Sequence, residues 1–594
     1  MSEPTAAAAR PRASGARLLL IAIALNAVLF VVVLSTLTLS YESNDDVGMA
    51  GIASGLVTGR PSEELVFTNI LVGSALKRLY EWNDRVNWYT LYLLAAHFTA
   101  MTGLCFAFLR TLPSFLAIAL FVLLFGQYEV GMLLWLQYTS IAVTMALVGF
   151  LLLMNPLNDQ VGGSSLATVF GGSLLVLAGI VRSQALVFAL ILIAPYLAYR
   201  LVSVRRWRPI IALGTAAGVV LAAWAVNERH YRSDPRWRDY RIVNAALDPV
   251  LDTQSIEYNE ATRPFFEQLG WSATDWHMMR SWFFADPQVF TTERMQKMAV
   301  HFQQTGWRRP SAWGYLENRL SPLIVFERVT YANMLLAFLL AGGRRLRLVL
   351  LGGCQGLWVL SILYLLACFW KLEPRIVMPA AFGLGIIVFD LVLEAARERA
   401  QSNQPMAPAW MPRWIWAACI VVVLICYGWT SYRMAGRNWA LSDFNRRSQT
   451  AFRSLVQTVI DRYVEKDPNA IFFNWGATFP MQFTPPFATN RQISRLQIVP
   501  LGWNQHSPLF DQRLRSLNIT DLPRAFYANP HVYFFMPPAR IDTLERFLKE
   551  HYGQDVVPRL VDRLAAGDGN ESARSDLDVH VVQMTARAIS TKPH

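Results

Sequence analysis

The stretch "LLLIAIALNAVLFVVVLSTLTLSYESNDDVGMAG" (residues 18–51) runs an apolar segment directly into a cluster of acids. From Leu18 to Leu39 it is long enough to cross a hydrocarbon layer of about 30 Å at about 1.5 Å per residue. Arg10, Arg12 and Arg17 precede it, and basic residues favour the cytoplasmic side. A secretory signal opens in the same way, but its apolar region is roughly 7 to 15 residues long and ends at an A-x-A site, which is missing here. The segment is therefore expected to be a retained span, with Glu42, Asp45 and Asp46 emerging at its outer end.

The rest of the 594-residue chain agrees with a membrane protein, since 54% of it is hydrophobic and only 16% charged. The net charge of +12 is concentrated in short groups such as "RRWR" (205–208) and "RRLR" (344–347), placed between apolar runs as topology signals. Nucleic acid is not the expected partner; membrane lipids are. No P-loop, dinucleotide fingerprint, H-E-x-x-H or paired cysteine spacing occurs, which leaves soluble nucleotide and zinc chemistry without support. Cys105, Cys354, Cys368, Cys419 and Cys426 all fall in apolar stretches, where cysteine behaves as a small hydrophobe.

Further spans are predicted near 89–109, 112–127, 131–154, 164–181, 183–199, 209–226, 325–342, 346–369, 375–394 and 413–431, about eleven in all. Alternation then puts Arg110, the 200–208 arginines, the 344–347 arginines and Arg397 with Arg399 on the cytoplasmic side. The expected fold is a polytopic α-helical membrane protein over 1–431, with outer loops 40–88 and 227–324, and a small periplasmic α/β domain over 432–594. In the first loop, Pro61 marks a helix start and Val66, Ile70, Leu71, Leu76 and Tyr80 fall on one face, as in a helix lying on the membrane. In the C-terminal part, "AIFFNWG", "HVYFFMP" and "LDVHVVQM" read as buried strands. "RIDTLERFLKEHYG" reads as a helix with Asp542 as N-cap, Glu545 at N3 and Gly553 as its stop.

Two adjacent carboxylates beside Glu42 repel one another, so the cluster calls for hydration, partners or a function. The outer loops supply complementary groups: Glu129 in "GQYEVGM", Arg182 at the tip of the 164–199 hairpin, and Lys371 with Arg375 in "KLEPRIVMP". Singly, each has a plainer explanation, as a water-facing acid or a snorkelling base. Together, at helix ends on one face of a membrane, they suit an anionic lipid whose phosphate leaves. "GWSATDWHMMRSWFFADP" (270–287) offers Trp271, Trp276 and Trp282 with Asp275, His277 and Asp286, a mixture suited to stacking on sugar rings and bonding their hydroxyls, or to interfacial anchoring. "FNWGATFP" and "LGWNQHSP" are candidates for acceptor contacts or for a structural lid.

A first span followed at once by "SNDD", a loop helix, many more spans and a soluble outer domain resembles the GT-C superfamily of integral membrane glycosyltransferases. "NDDVGMAGIASGLVTGRPSEELVFTNILVGSALKRLYEW", "GWSATDWHMMRSWFFADPQVF" and "KLEPRIVMP" are also similar to a group of bacterial multispanning proteins placed near that superfamily. The resemblance implies an inverting transfer from a polyprenyl-phosphate-linked sugar to a glycan, lipid or protein acceptor at the outer face of the bacterial inner membrane. It implies Asp46, or Asp45, as general base, and Arg182, Arg375 and Lys371 on the donor phosphate. The small-residue segment "VGMAGIASG" that follows Asp46 favours Asp46 as the base, with Asp45 orienting it or binding the acceptor. Glu42, Glu129, Trp271, Asp275, Trp276 and His277 would then line the substrate. No cofactor is required. Members using pyrophosphate-linked donors need a divalent cation, for which Asp45, Asp46 and Glu129 are the candidates. A transporter or flippase would carry charges at the bilayer midplane, where this sequence is apolar. A polymerase or ligase remains open through the basic outer segment "NERHYRSDPRWRDYR" (227–241).

This orientation predicts that a reporter active only outside the cytoplasm works when fused after Tyr41, within 240–300 or after Leu441, and is silent after Arg206 or Arg347. Activity at Arg347 would overturn the map.

Overall fold

The computed structural model describes residues 14–154, 164–203, 207–247, 251, 257–304, 346–369, 373–401, 412–476, 478–488, 491–564 and 579–587. A helical bundle forms its first part. Helix α1 (Gly15–Thr36) leads through the two-residue strand β1 (Ser40–Tyr41) into the short helix α2 (Asn44–Ser54), then α3 (Ile70–Trp82) and α4 (Trp88–Thr111). Helix α5 (Ser114–Leu124) continues through a π turn over Phe125–Glu129 into α6 (Val130–Leu134), and strand β2 (Trp135–Leu136) follows. After α7 (Tyr138–Met154) and α8 (Ser164–Val181), α9 (Ser183–Leu192) and α10 (Ala194–Ser203) meet at a 71° bend. Next come α11 (Trp207–Ser233), α12 (Pro235–Leu247), α13 (Arg263–Gln268), α14 (Ala273–Arg280) and α15 (Thr292–Gln304). The membrane part ends with α16 (Leu346–Phe369), α17 (Pro374–Gln401) and the start of α18 (Arg413–Val459). Among the described residues five helices are long and apolar enough to cross a membrane, six if the bent pair is one span. The span expected at 325–342 lies outside the described residues.

Buried polar groups and small residues set the packing, as expected where apolar contact alone confers no specificity. Asn26, in the middle of α1, donates to the Phe98 carbonyl at 2.9 Å and to Thr102 Oγ1 at 3.0 Å on α4. Helices α7 and α8 close on each other at Gly149 and Gly171, where a Cβ on either would stand 2.9 Å from the other's carbonyl oxygen.

The break expected between 127 and 131 is absent. Gly126 lies inside the π turn, the helix runs on to Leu134, and the chain reverses at Trp135–Gln137. A single extra residue is absorbed by the wider turn, so apolar sequence on both sides stays helical. The loop helix likewise begins later than Pro61: Asn69 caps it, its side chain accepting from the Leu71 N–H at 3.0 Å. Its buried face is Ile70, Gly73, Leu76 and Tyr80, packed on α2, α4 and α11, while Leu71 is exposed.

The C-terminal domain, the one expected on the outer side, is built on a five-stranded sheet of order β4-β3-β5-β7-β6, from β3 (Ile471–Trp475), β4 (Gln497–Leu501), β5 (Val532–Phe535), β6 (Val556–Leu564) and β7 (Val579–Ala586). Strands β3, β4 and β5 run parallel, and β7 is antiparallel to both β5 and β6. The three strands read from sequence are β3, β5 and β7. The two not foreseen, β4 and β6, are the edges, and each carries a proline (Pro500, Pro558), a residue that marks a segment as edge or loop. The helix at Ile541–Tyr552 ends on Gly553 at φ +62°, but Asp542 sits in its first turn and Arg540 precedes it without a side-chain cap. Helices α12 to α15 share one apolar core with the sheet, including Trp271, Trp276, Phe283, Trp475, Phe534 and Phe547.

Bundle and domain are joined by α18, 47 residues long, or about 70 Å at about 1.5 Å per residue. Three of its side chains grip the exit of α1. Ser442 Oγ accepts from the Thr38 N–H at 2.8 Å, Asn445 Nδ2 donates to the carbonyls of Thr38 (3.0 Å) and Leu134 (3.1 Å), and Gln449 Nε2 donates to that of Leu39 at 2.6 Å. Replacing Asn445 with Leu strands two carbonyls, which should cost about 1–3 kcal/mol and lower the unfolding temperature of the purified protein by several degrees. Arg446→Ala, on the exposed side of the same helix, should leave it unchanged.

Candidate active site

Strand β1 pairs with β2 in parallel, Tyr41 opposite Leu136, and the Glu42 N–H donates to the Leu136 carbonyl at 3.1 Å. This bridge fixes where α2 starts, and with it the acids in its first turn, where the helix dipole favours negative charge. Neighbours on a helix point about 100° apart, and the two aspartates have different surroundings. Asp46 is fully buried and accepts three bonds, from the Tyr89 hydroxyl (2.9 Å), Ser43 Oγ (3.0 Å) and the Tyr138 N–H (3.2 Å). Burial pushes its pKa up to about 7, helped by the charge of Asp45 and opposed by those bonds. Asp45 instead lines a cavity, 3.7 Å from Arg375 Nη1. Glu42 completes the group: its Oε1 accepts from the Arg375 N–H at 3.2 Å, while burial, outweighing the Arg375 charge, lifts its pKa to about 8.

The cavity, about 400 Å³, lies between α2 and the carboxyl ends of β3 and β4, with Trp282, Asn474, Gly476, Trp503 and Asn504 among its lining. Crevices at the carboxyl ends of parallel strands are common ligand sites. Trp503 packs against α2 at Gly48, where an added Cβ would meet the indole at 2.9 Å, and it meets Phe67 edge-on with centroids 4.7 Å apart. Trp282 sits at φ +69°, a strained conformation for a bulky residue. Buried Gln505 holds it there, donating to the carbonyls of Trp282 (2.9 Å) and Gly502 (2.8 Å) while accepting from the Phe284 N–H (3.0 Å).

Arg182 is elsewhere. It lines a separate cavity of about 320 Å³ with Phe67, Asn69, Trp224, Asn227 and Tyr231. Its Nη1 donates to Tyr138 Oη and Thr139 Oγ1, both at 2.6 Å, and its guanidinium lies over the Tyr138 ring at 4.9 Å. Tyr138 thus links Asp46 and Arg182, its N–H on the one and its ring and hydroxyl on the other. Neither Tyr89 nor Tyr138 was read as a site residue, because a tyrosine at the start of a span resembles an ordinary interfacial anchor.

The remaining sequence candidates disperse. Lys371 lies outside the described residues. Glu129 is not in an outer loop: it closes the π turn, fully buried, with Oε1 2.8 Å from His97 Nδ1 on α4. Trp271 and Trp276 are core residues, and the Trp271 indole N–H donates to the Val289 carbonyl at 2.9 Å. Asp275 is occupied by its own capping box with Ser272 and by His551 Nε2 at 2.7 Å. His277 is exposed on α14 and outside the cavity lining. These residues alternate with apolar ones because they form a compact helical turn of the outer domain. The strand-end loops of "FNWGATFP" and "LGWNQHSP" do reach the cavity. A cation shared by Asp45, Asp46 and Glu129 does not fit, because Glu129 is turned to His97 and Asp46 is occupied by three donors. Among the described residues, the side chains near enough to share an ion are Glu63, Glu64 and His230.

No family model and no curated protein matches the chain. Among solved structures it is similar to ArnT from Cupriavidus metallidurans in the apo state, with 14% identity over 94% of this chain and 97% of that one and a TM-score of 0.45. It is also similar to ArnT from Cupriavidus metallidurans bound to undecaprenyl phosphate, with 11% identity over 96% and 98% and a TM-score of 0.44.

The raised pKa values of Asp46 and Glu42 have a signed consequence. Folding favours their protonated forms, so their contribution to stability is complete below about pH 4 and is lost as pH rises through about 7 and 8. In thermal unfolding from pH 4 to 9, a Glu42→Gln/Asp46→Asn double variant should gain on the wild type as pH rises. Parallel curves would show that the two acids are not desolvated.

Proposed function

We propose that the protein is a membrane glycosyltransferase that moves a sugar from a polyprenyl-phosphate carrier to a hydroxyl-bearing acceptor at the outer face of the membrane. The observation that carries this reading is the pairing of Asp45 and Arg375 on the wall of one cavity, between the bundle and the outer domain. Asp45 is the general base: a carboxylate oxygen takes the acceptor proton as the hydroxyl oxygen attacks C1. The bond from C1 to the phosphate oxygen breaks, and the lipid phosphate leaves with the electron pair. Arg375 meets that growing charge with a charge-assisted hydrogen bond, in a site of lowered dielectric. A single displacement of this kind inverts the anomeric centre.

The roles of the two aspartates are therefore the reverse of those read from sequence. Asp46, enclosed by Tyr89, Ser43 and Tyr138, is a positioning residue that holds the first turn of α2. Arg182 acts through Tyr138 on the same turn. Trp282 and Trp503 offer faces on which sugar rings stack. The sequence resemblance to the GT-C superfamily supports the same chemistry, with the enzyme in the bacterial inner membrane, its N-terminus cytoplasmic and its outer domain periplasmic.

The test is transfer from a purified pool of polyprenyl-phosphate sugars, with protein amount and monodispersity checked. Asp45→Asn should lower turnover by about 10² or more, the usual contribution of a positioned base. Arg375→Ala should weaken donor use, and Arg375→Lys should restore it only in part, since the ammonium lacks the planar fork. Asp46→Asn should be milder than Asp45→Asn. Normal turnover by Asp45→Asn together with loss in Asp46→Asn would exchange the roles, and normal turnover by both would remove the base from the scheme.

A further inference from the structure

The cavity that holds Asp45 combines a charged pair with an aliphatic group. Along α2 its wall includes Asp45, Gly48 and Ile52, about one residue per turn, and Leu56 and Val57 follow just past the helix. Ile52 lies about 10 Å along α2 from Asp45 at about 1.5 Å per residue, and the left-handed Gly55 then turns the chain so that Val57 comes back against Gly51. Arg375 stands at the Asp45 end, 3.7 Å from the carboxylate. Beyond Ile52 the facing wall is aliphatic, with Ile493, Leu496 and Ile498 of the outer domain, and Leu56 packs against that same group. A wholly polar ligand filling this space would turn hydroxyls toward side chains that offer no partner. A volume of about 400 Å³ suits a small molecule and is far too little for a polyprenyl chain. The aliphatic end is built from Ile52 of α2, Leu56 and Val57 just past it, Ile493 and Leu496 just before β4, and Ile498 on β4, none of them in a helix long enough to span the bilayer.

Resting on the glycosyl-transfer reading, we infer that the acceptor is an amphiphile: a hydroxyl-bearing head placed at Asp45, with a short alkyl or aryl group lodged between α2 and β4, out of the bilayer. Its apolar group sets affinity, and the charged end selects the hydroxyl.

The probes are n-alkyl β-D-glucosides with four to ten tail carbons, below their micellar concentrations, added to the protein in lipid nanodiscs. Binding is read by thermal stabilisation, and acceptor use by transfer. Affinity should rise by up to about fourfold per added methylene and then level off when the aliphatic end is full. Leu56→Trp, which fills that end, should abolish the dependence on tail length. Val57→Asn, which wets it, should flatten the same series without adding bulk. Partition into the nanodisc lipid is common to all variants and cancels between them. The same length dependence in wild type and both variants, or none in the wild type, overturns the inference. That result, alongside transfer that still depends on Asp45, leaves the glycosyl-transfer reading standing. Tail-dependent binding with transfer indifferent to Asp45→Asn overturns the acceptor assignment and the transfer reading together.

Discussion

Everything in the candidate site hangs from the exit of α1. Four residues beyond the helix, the chain must stop being membrane span and become the rigid base of an acidic turn, and it has no room for a flexible linker. Its carbonyls at Thr38 and Leu39 leave the helix unpaired, and buried backbone of that kind needs partners. Asn445 and Gln449 supply them from α18, Ser442 takes the Thr38 N–H, and the β1–β2 bridge takes the next residues. The same bonds that satisfy the backbone also aim the carboxylates.

The cost of this arrangement is electrostatic. Glu42 and Asp45 face the Arg375 guanidinium while Asp46 is enclosed by Tyr89, Ser43 and Tyr138, and both Glu42 and Asp46 are largely removed from water. Burial raises the pKa of Glu42 to about 8 and that of Asp46 to about 7, which favours their protonated forms near neutral pH. Asp45 is the acid that lines the cavity, in the first turn of α2 and 3.7 Å from Arg375 Nη1. Burial and exposure thus give two adjacent, chemically identical side chains the different parts they take in the proposed scheme.

Much of the architecture could be read from periodicity and charge. Apolar runs between arginine groups located the helices, and strands with buried aromatic and β-branched residues located the centre of the sheet. What was not legible depends on contacts across the chain. Gly126 looked like a break because a π turn has no sequence mark, and Pro500 and Pro558 concealed two strands that are edges. The site followed the same rule. The position of "SNDD" pointed to α2, but which aspartate faces the cavity depends on Tyr89 and Tyr138, residues in later helices. Trp271, Trp276 and Asp275 had a composition suited to sugar and proved to be core and cap, whereas Trp503 and Asn504, in the stretch "LGWNQHSP" singled out from sequence, do line the cavity at the end of a strand that went unrecognised.

Helix α18 has one further consequence. Its outer half grips the chain that carries Asp45, and nearer its end Phe452, Leu455, Val456 and Val459 pack against Phe472 and Ile498 of the sheet whose strand ends form the opposite wall of the cavity. Both walls of the cavity therefore lean on one helix. Long helices curve only gently, over radii of about 60–100 Å, so a kink introduced into this one would disturb both walls at once.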